Sequence, residues 1–157
     1  MTRRRTLPIS WIRVPLCAVA GPHTPIPTED AEVKNVLVVD DDPSIRALIR
    51  LYLEGAGYGV IEAADGRRAM AILGEQPVEL VILDIFMPEM DGLEVLQVLR
   101  EQNQSCKIMA ISGGSAKIGM DLLGHATIFG ADLVLEKPFG EGTLLGKVAS
   151  LIGPAAD

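Results

Sequence analysis

The chain has 157 residues, 48% of them apolar, and a formal net charge of -7. That length buries one sizeable core and leaves little room for a second domain, and the acidic balance argues against a general affinity for nucleic acid, which needs a basic face. Two cysteines, Cys17 and Cys106, make no disulfide framework, and no Cys/His cluster has zinc spacing, so a reducing cytoplasm is the expected compartment.

Residues 1–33 differ in composition from the rest, with Arg3, Arg4, Arg5 and Arg13 set among Pro8, Pro15, Pro22, Pro25 and Pro27. They read as a disordered extension. A signal peptide is the competing reading, because the arginines precede an apolar stretch ending in Ala18-Val19-Ala20. Arg13 and two prolines interrupt that stretch, and an arginine inside an apolar segment costs about 2.5–3.5 kcal/mol on insertion scales. No apolar run approaches the roughly 18 residues of a membrane span, so no membrane is expected. The folded domain is expected over 34–153, with 154–157 as a short tail.

From Asn35 onward short apolar runs alternate with amphipathic stretches, the pattern of a parallel sheet covered on both faces. Strands are predicted at Asn35 to Val39, Gly59 to Glu62, Leu80 to Leu83, Lys107 to Ile111 and Leu133 to Leu135, each too short for a buried helix. The first helix takes Asp42 as N-cap and Pro43 as its first residue, buries Ile45, Leu48, Ile49 and Tyr52 on one face, and ends at Gly55 and Gly57. The second starts at Asp65 or Gly66. The third carries Leu93, Leu96 and Leu99 at helical spacing. A fourth is expected between Ala116 and Phe129, and Leu144, Val148, Leu151 and Ile152 mark the fifth.

Such alternation with right-handed crossovers builds an open, doubly wound α/β sheet, whose ligands bind beyond the carboxyl ends of the strands. Strand one ends in Asp40, Asp41 and Asp42, strand three in Asp84 and strand four in Ser112, and strand five leads into Lys137. Carboxylates gathered there repel one another by roughly 4 kcal/mol per pair at about 4 Å and an effective dielectric near 20. A hard, oxygen-seeking divalent ion such as Mg²⁺ offsets this while keeping waters to exchange for phosphate. Asp42 reads as a helix cap in preference to a ligand, and His23 and His125 have no metal-ligand spacing between them.

Four segments together resemble the receiver domain of bacterial two-component response regulators, the CheY-like family. They are VLVVDDDPSIR at Val36 to Arg46, LVILDIFMPEMDG at Leu80 to Gly92, AISGG at Ala110 to Gly114 and GADLVLEKPF at Gly130 to Phe139. The resemblance covers residues 34 to 152. It implies a (βα)5, flavodoxin-like fold with strand order 2-1-3-4-5. It further implies Asp84 as phosphoacceptor, and Asp40, Asp41 and Asp84 with the backbone carbonyl of Phe86 around Mg²⁺ or Mn²⁺, Asp41 being the more direct ligand of the acidic pair. Ser112 then contacts the phosphoryl oxygens and Lys137 pairs with them, while Pro138 follows a cis bond.

The function so implied is a single-domain regulator that takes a phosphoryl group from a histidine kinase or histidine phosphotransfer protein and catalyses its own phosphorylation and dephosphorylation. It would signal by phosphorelay or by binding an unknown downstream protein, as a monomer or a weak dimer through the face of the fourth helix. Only 20 residues follow Lys137, so no attached output domain is expected.

Two positions depart from the family. Val134 stands where many receivers carry an aromatic residue, so readout by an aromatic switch is not expected. Phe86 and Gly114, two residues after the acceptor and after Ser112, offer no polar group to orient water, so a long-lived aspartyl phosphate is expected. A phosphatase of the haloacid-dehalogenase-like class would need a second acid at position 86, and a nucleotide-binding flavodoxin-like protein would need a Gly-rich loop after strand one. A degenerate interaction module would lack part of the set Asp41, Asp84, Ser112 and Lys137.

Overall fold

A computed structural model describes residues 32–87, 92–102, 105–113 and 130–156. The 1–31 part of the N-terminal extension, Pro88, Gly114, His125 and the expected 116–129 helix lie outside the described residues. The strands are β1 (Asn35–Val39), β2 (Gly59–Ala63), β3 (Leu80–Asp84), β4 (Lys107–Ser112) and β5 (Leu133–Glu136). All four pairings are parallel, in the order β2-β1-β3-β4-β5. Each strand after the first runs one residue further than expected, because ladder pairing continues into Ala63 of β2 and into the polar residues Asp84, Ser112 and Glu136 that end β3, β4 and β5.

Neighbouring residues of the central strands serve opposite faces, as a pleated strand requires. Leu37, Val39, Val81, Leu83, Ile108 and Ala110 pack under α2 (Gly66–Glu75) and α3 (Gly92–Glu101). Val36, Val38, Leu80, Ile82, Met109 and Ile111 pack under α1 (Pro43–Gly55) and the C-terminal helix α4 (Glu141–Ile152). Burial on both faces explains why these strands read as unbroken apolar runs. Among the described residues, no helix is long and apolar enough to cross a membrane.

The helix ends follow local chemistry. Asp42 caps α1 by accepting from the Ser44 amide at 2.8 Å, with Pro43 as the first helical residue. Asp65 caps α2 through the Arg68 amide at 2.8 Å, which fixes Gly66 as the first helical residue. Helix α1 ends at Gly55, and Gly57 takes φ +95° in the turn to β2.

One helical face is rotated from its expected position. Leu48 is 36% exposed, and Leu53, outside the expected set, is fully buried. Helix α1 sits over β1 with α4 alongside, so Ile49 and Leu53 point into the shared core, with Ile45 and Tyr52 at its margin. The C-terminal residues also pack: Tyr58 Oη donates to the Gly153 carbonyl at 2.9 Å, Lys34 Nζ to the Pro154 carbonyl at 2.7 Å, and Ala155 lies against the core.

Candidate functional site

Strand β1 lies between β2 and β3, and the chain crosses in opposite directions from it, so a crevice opens at the carboxyl ends of β1 and β3. Asp40 is the first residue beyond β1 and still donates its amide to the Ala63 carbonyl at 3.2 Å. Asp84 closes β3, and the next residue, Ile85, donates to Ile111 of β4 at 2.9 Å. Sheet bonding therefore carries both acids to the same edge at fixed height.

There Asp40, Asp41 and Asp84 each offer a carboxylate oxygen, all within 4.8 Å of one another. Asp40 and Asp84 are buried and Asp41 is exposed. Lys137, one residue past β5, enters the same space, with Nζ 3.0 Å from Asp40 Oδ2 and 3.6 Å from Asp84 Oδ2. Its amide donates to the Ser112 carbonyl at 2.8 Å, so β4 and β5 hand the serine and the lysine to the site in register. The Lys137-Pro138 peptide is cis. The other Asp40 oxygen, Oδ1, accepts from the Asp42 amide at 2.9 Å, and Asp84 Oδ1 accepts from the Phe86 amide at 3.2 Å.

Burial disfavours a charged Asp84, and the neighbouring Asp40 carboxylate disfavours it further, with Asp41 adding a smaller push. Lys137 and the Phe86 amide pull the other way. The outcome is an Asp84 pKa raised to about 6. Two negative groups surrounding a reluctant third suit a hard cation, whose charge would relieve all of them. Ser112 makes the same point from the other side: its Oγ is buried and has no hydrogen-bond partner among the described residues. A buried hydroxyl left unpaired costs about 1–3 kcal/mol, so the site carries an unsatisfied polar group where an oxygen-rich ligand would supply its partner. The donor set thus fits a divalent ion with a phosphate-like group.

Two glycines contribute by having no side chain. The φ of Gly92 is not in the left-handed region, so its role is not one of backbone angle. A Cβ there would overlap the Asp84 carbonyl oxygen and lie 2.6 Å from the Ile85 Cα. The start of α3 therefore presses directly on the backbone that carries Asp84, and the Gly92 amide donates to the Ile85 carbonyl at 3.0 Å. Gly113 is similar, since a Cβ would lie 3.2 Å from Cδ of Lys137. Arg46 was present in the first motif without a role; its Nη1 donates to the Asp40 carbonyl at 2.7 Å. Val134 is partly buried against the α2/α3 side of the core, and Phe86, two residues past the end of β3, is 37% exposed.

The chain matches the response regulator receiver domain family over residues 36–149. The transcriptional regulatory protein CpxR of Escherichia coli strain K12 is 32% identical over 123 residues, which cover 76% of this chain and 50% of CpxR. Among solved structures, the chemotaxis protein CheY4 of Vibrio cholerae is 33% identical with a TM-score of 0.67, covering 76% of this chain and 99% of that one. The response regulator TrrA of Thermotoga maritima, solved in complex with Mg²⁺-BeF, is 35% identical with a TM-score of 0.65, again covering 76% and 99%. The chain spans about half the length of the first curated relatives it matches.

Proposed function

This chain belongs to the response regulator receiver domain family, and from that premise we propose that it accepts a phosphoryl group from a histidine kinase or histidine phosphotransfer protein onto Asp84. The observation that carries the reading is the meeting of Asp84 with Asp40, Asp41 and Lys137 at one strand edge.

In the proposed reaction an Asp84 carboxylate oxygen attacks phosphorus in line, the new O–P bond forms as the N–P bond breaks, and the leaving electron pair returns to the donor imidazole. Asp40, Asp41, Asp84 and the Phe86 carbonyl would hold Mg²⁺ or Mn²⁺, which when bound neutralises charge on the phosphoryl oxygens. Asp41 suits direct ligation because no other group among the described residues engages its carboxylate, whereas both oxygens of Asp40 are already engaged. Lys137 is close enough to leave Asp40 for a phosphoryl oxygen, and the unpaired Ser112 hydroxyl gains an acceptor.

The acyl phosphate adds nearly two negative charges where three acids already meet, and that charge draws Lys137 and Ser112 and rearranges the loops around them. Output then runs through protein contacts that sense the rearrangement, either relay to a second histidine-containing protein or binding of a downstream partner. Release of phosphate back to water would be catalysed by the same residues.

The test is incubation with acetyl phosphate or a phosphorylated kinase, with and without Mg²⁺, followed by intact-mass measurement. A Mg²⁺-dependent gain of one phosphoryl group, absent in Asp84→Asn, supports the reading. Turnover of simple phosphomonoesters, or no modification under any condition, overturns it.

A further inference from the structure

The metal-binding pair leaves one nearby residue without a task. Arg46 sits in the first turns of α1 with its side chain 17% exposed, and its guanidinium reaches back six residues to the Asp40 carbonyl, 2.7 Å from Nη1. Its Nε faces Glu62 of β2 at 3.3 Å. Glu62 in turn accepts from Arg50 at 2.9 Å, and Arg50 bonds Glu54 at 2.9 Å.

Asp40 needs such a partner. Its amide is the last to join the β1–β2 ladder, and beyond it the chain turns out of the sheet toward the Asp42 cap. The carbonyl of Asp40 is therefore at the point where ladder bonding stops, on a buried residue. Arg46 supplies the missing donor and fixes the peptide that joins Asp40 to Asp41. Since Glu62 cancels the charge of Arg46, the arginine contributes placement more than field.

We infer that Arg46, braced by Glu62, is a positioning residue that sets the Asp40–Asp41 peptide for divalent-cation binding. The inference rests on the proposed phosphoacceptor reading, and it concerns only how this chain holds the acidic pair. A rigid planar fork suits the task because it spans the carbonyl and the carboxylate at once. Lysine, with a single ammonium, holds one of them at a time.

Titration calorimetry with Mg²⁺ on the full chain tests this. Arg46→Ala is expected to weaken Mg²⁺ binding about tenfold, the lower end of what losing a partner behind a metal ligand costs. Arg46→Lys should fall between the two. Arg50→Ala breaks the other bond to Glu62 without touching Asp40 and should bind Mg²⁺ as the parent does. At saturating Mg²⁺ the rate of phosphorylation by acetyl phosphate should recover in Arg46→Ala, since the defect lies in holding the cation.

Unchanged or tighter Mg²⁺ binding by Arg46→Ala overturns the inference, and tighter binding identifies the arginine as a plain repelling charge. Equal weakening by Arg50→Ala also overturns it, by reducing the effect to general loss of the ion-pair group. Should Arg46→Ala fail to fold, Arg46→Lys and Glu62→Gln carry the test, and parental affinity in both counts against it. Absence of Mg²⁺ binding and of phosphorylation in the parent chain is a distinct result, which removes the underlying reading itself.

Discussion

Lys137 Nζ lies 3.0 Å from Asp40 and 3.6 Å from Asp84, so one ammonium offsets two of the three clustered carboxylates. In the absence of metal it is the only cation among the described residues in contact with Asp84. The same charge opposes an incoming divalent ion and attracts an incoming phosphoryl group. Lys137→Ala is therefore expected to bind Mg²⁺ more tightly by calorimetry while accepting phosphoryl groups at least about tenfold more slowly, roughly the rate counterpart of losing one charge-assisted contact. Slower acceptance without tighter metal binding would show that the lysine does not compete for Asp40.

The raised Asp84 pKa makes a stability prediction. The folded protein holds this proton up to about pH 6, whereas the unfolded chain releases it near the ordinary 3.8. Between those values the folded state binds more protons, so stability falls as pH rises through the window, and above it the ionised Asp84 is a net burden. Asp84→Asn should thus unfold at higher urea concentration than the parent at pH 7.5 without metal, by about 1–2 kcal/mol after allowing for solvent and lysine relaxation. The gain should shrink toward pH 4 and be reversed by millimolar Mg²⁺. Equal urea midpoints at pH 7.5 would mean that burial does not penalise the Asp84 charge.

Phe86 offers no polar atom from its side chain beside the acceptor strand. Replacing it by asparagine places an amide where water could be oriented toward the acyl phosphate. Phe86→Asn is expected to lose radiolabelled phosphate severalfold faster than the parent. Equal decay rates would indicate that position 86 has no part in hydrolysis.

Gly92 abuts the Asp84 backbone with no space for a methyl group. Gly92→Ala is expected to destabilise the fold by about 1–3 kcal/mol, as overpacking in a close-packed region does. It should also slow phosphorylation, since the methyl pushes on the peptide that carries the acceptor. Urea unfolding and intact-mass kinetics read the two effects separately, and an unperturbed variant would show that α3 can shift without cost.

Strand positions were legible because burial on both faces leaves unbroken apolar runs, and Asp42, Pro43 and Asp65 marked helix starts through their own capping chemistry. Periodicity locates a helical stripe but not its centre, which is set by the strands and by α4, far along the chain, and these leave Leu48 at the surface and bury Leu53. The acids were legible as a group because each follows an apolar run. Their mutual spacing, the orphaned Ser112 hydroxyl and the hold of Arg46 on Asp40 depend on contacts between distant segments, which no local pattern encodes. The need for glycine at position 92 likewise arises from the proximity of another backbone, that of Asp84 and Ile85.

At the far edge of the sheet, Arg100 of α3 donates to the Gly130 carbonyl at 2.8 Å and to Asp132 at 2.6 Å, and Asp132 also receives the Ile108 amide at 2.8 Å. Helix α3 is thereby riveted at its carboxyl end to the entrances of β4 and β5, while its amino end leans on Asp84. A push at Asp84 meets a strut with a fixed foot. A displacement of the Asp84 backbone would therefore bear on the amino end of α3 while the Arg100 contacts hold its carboxyl end.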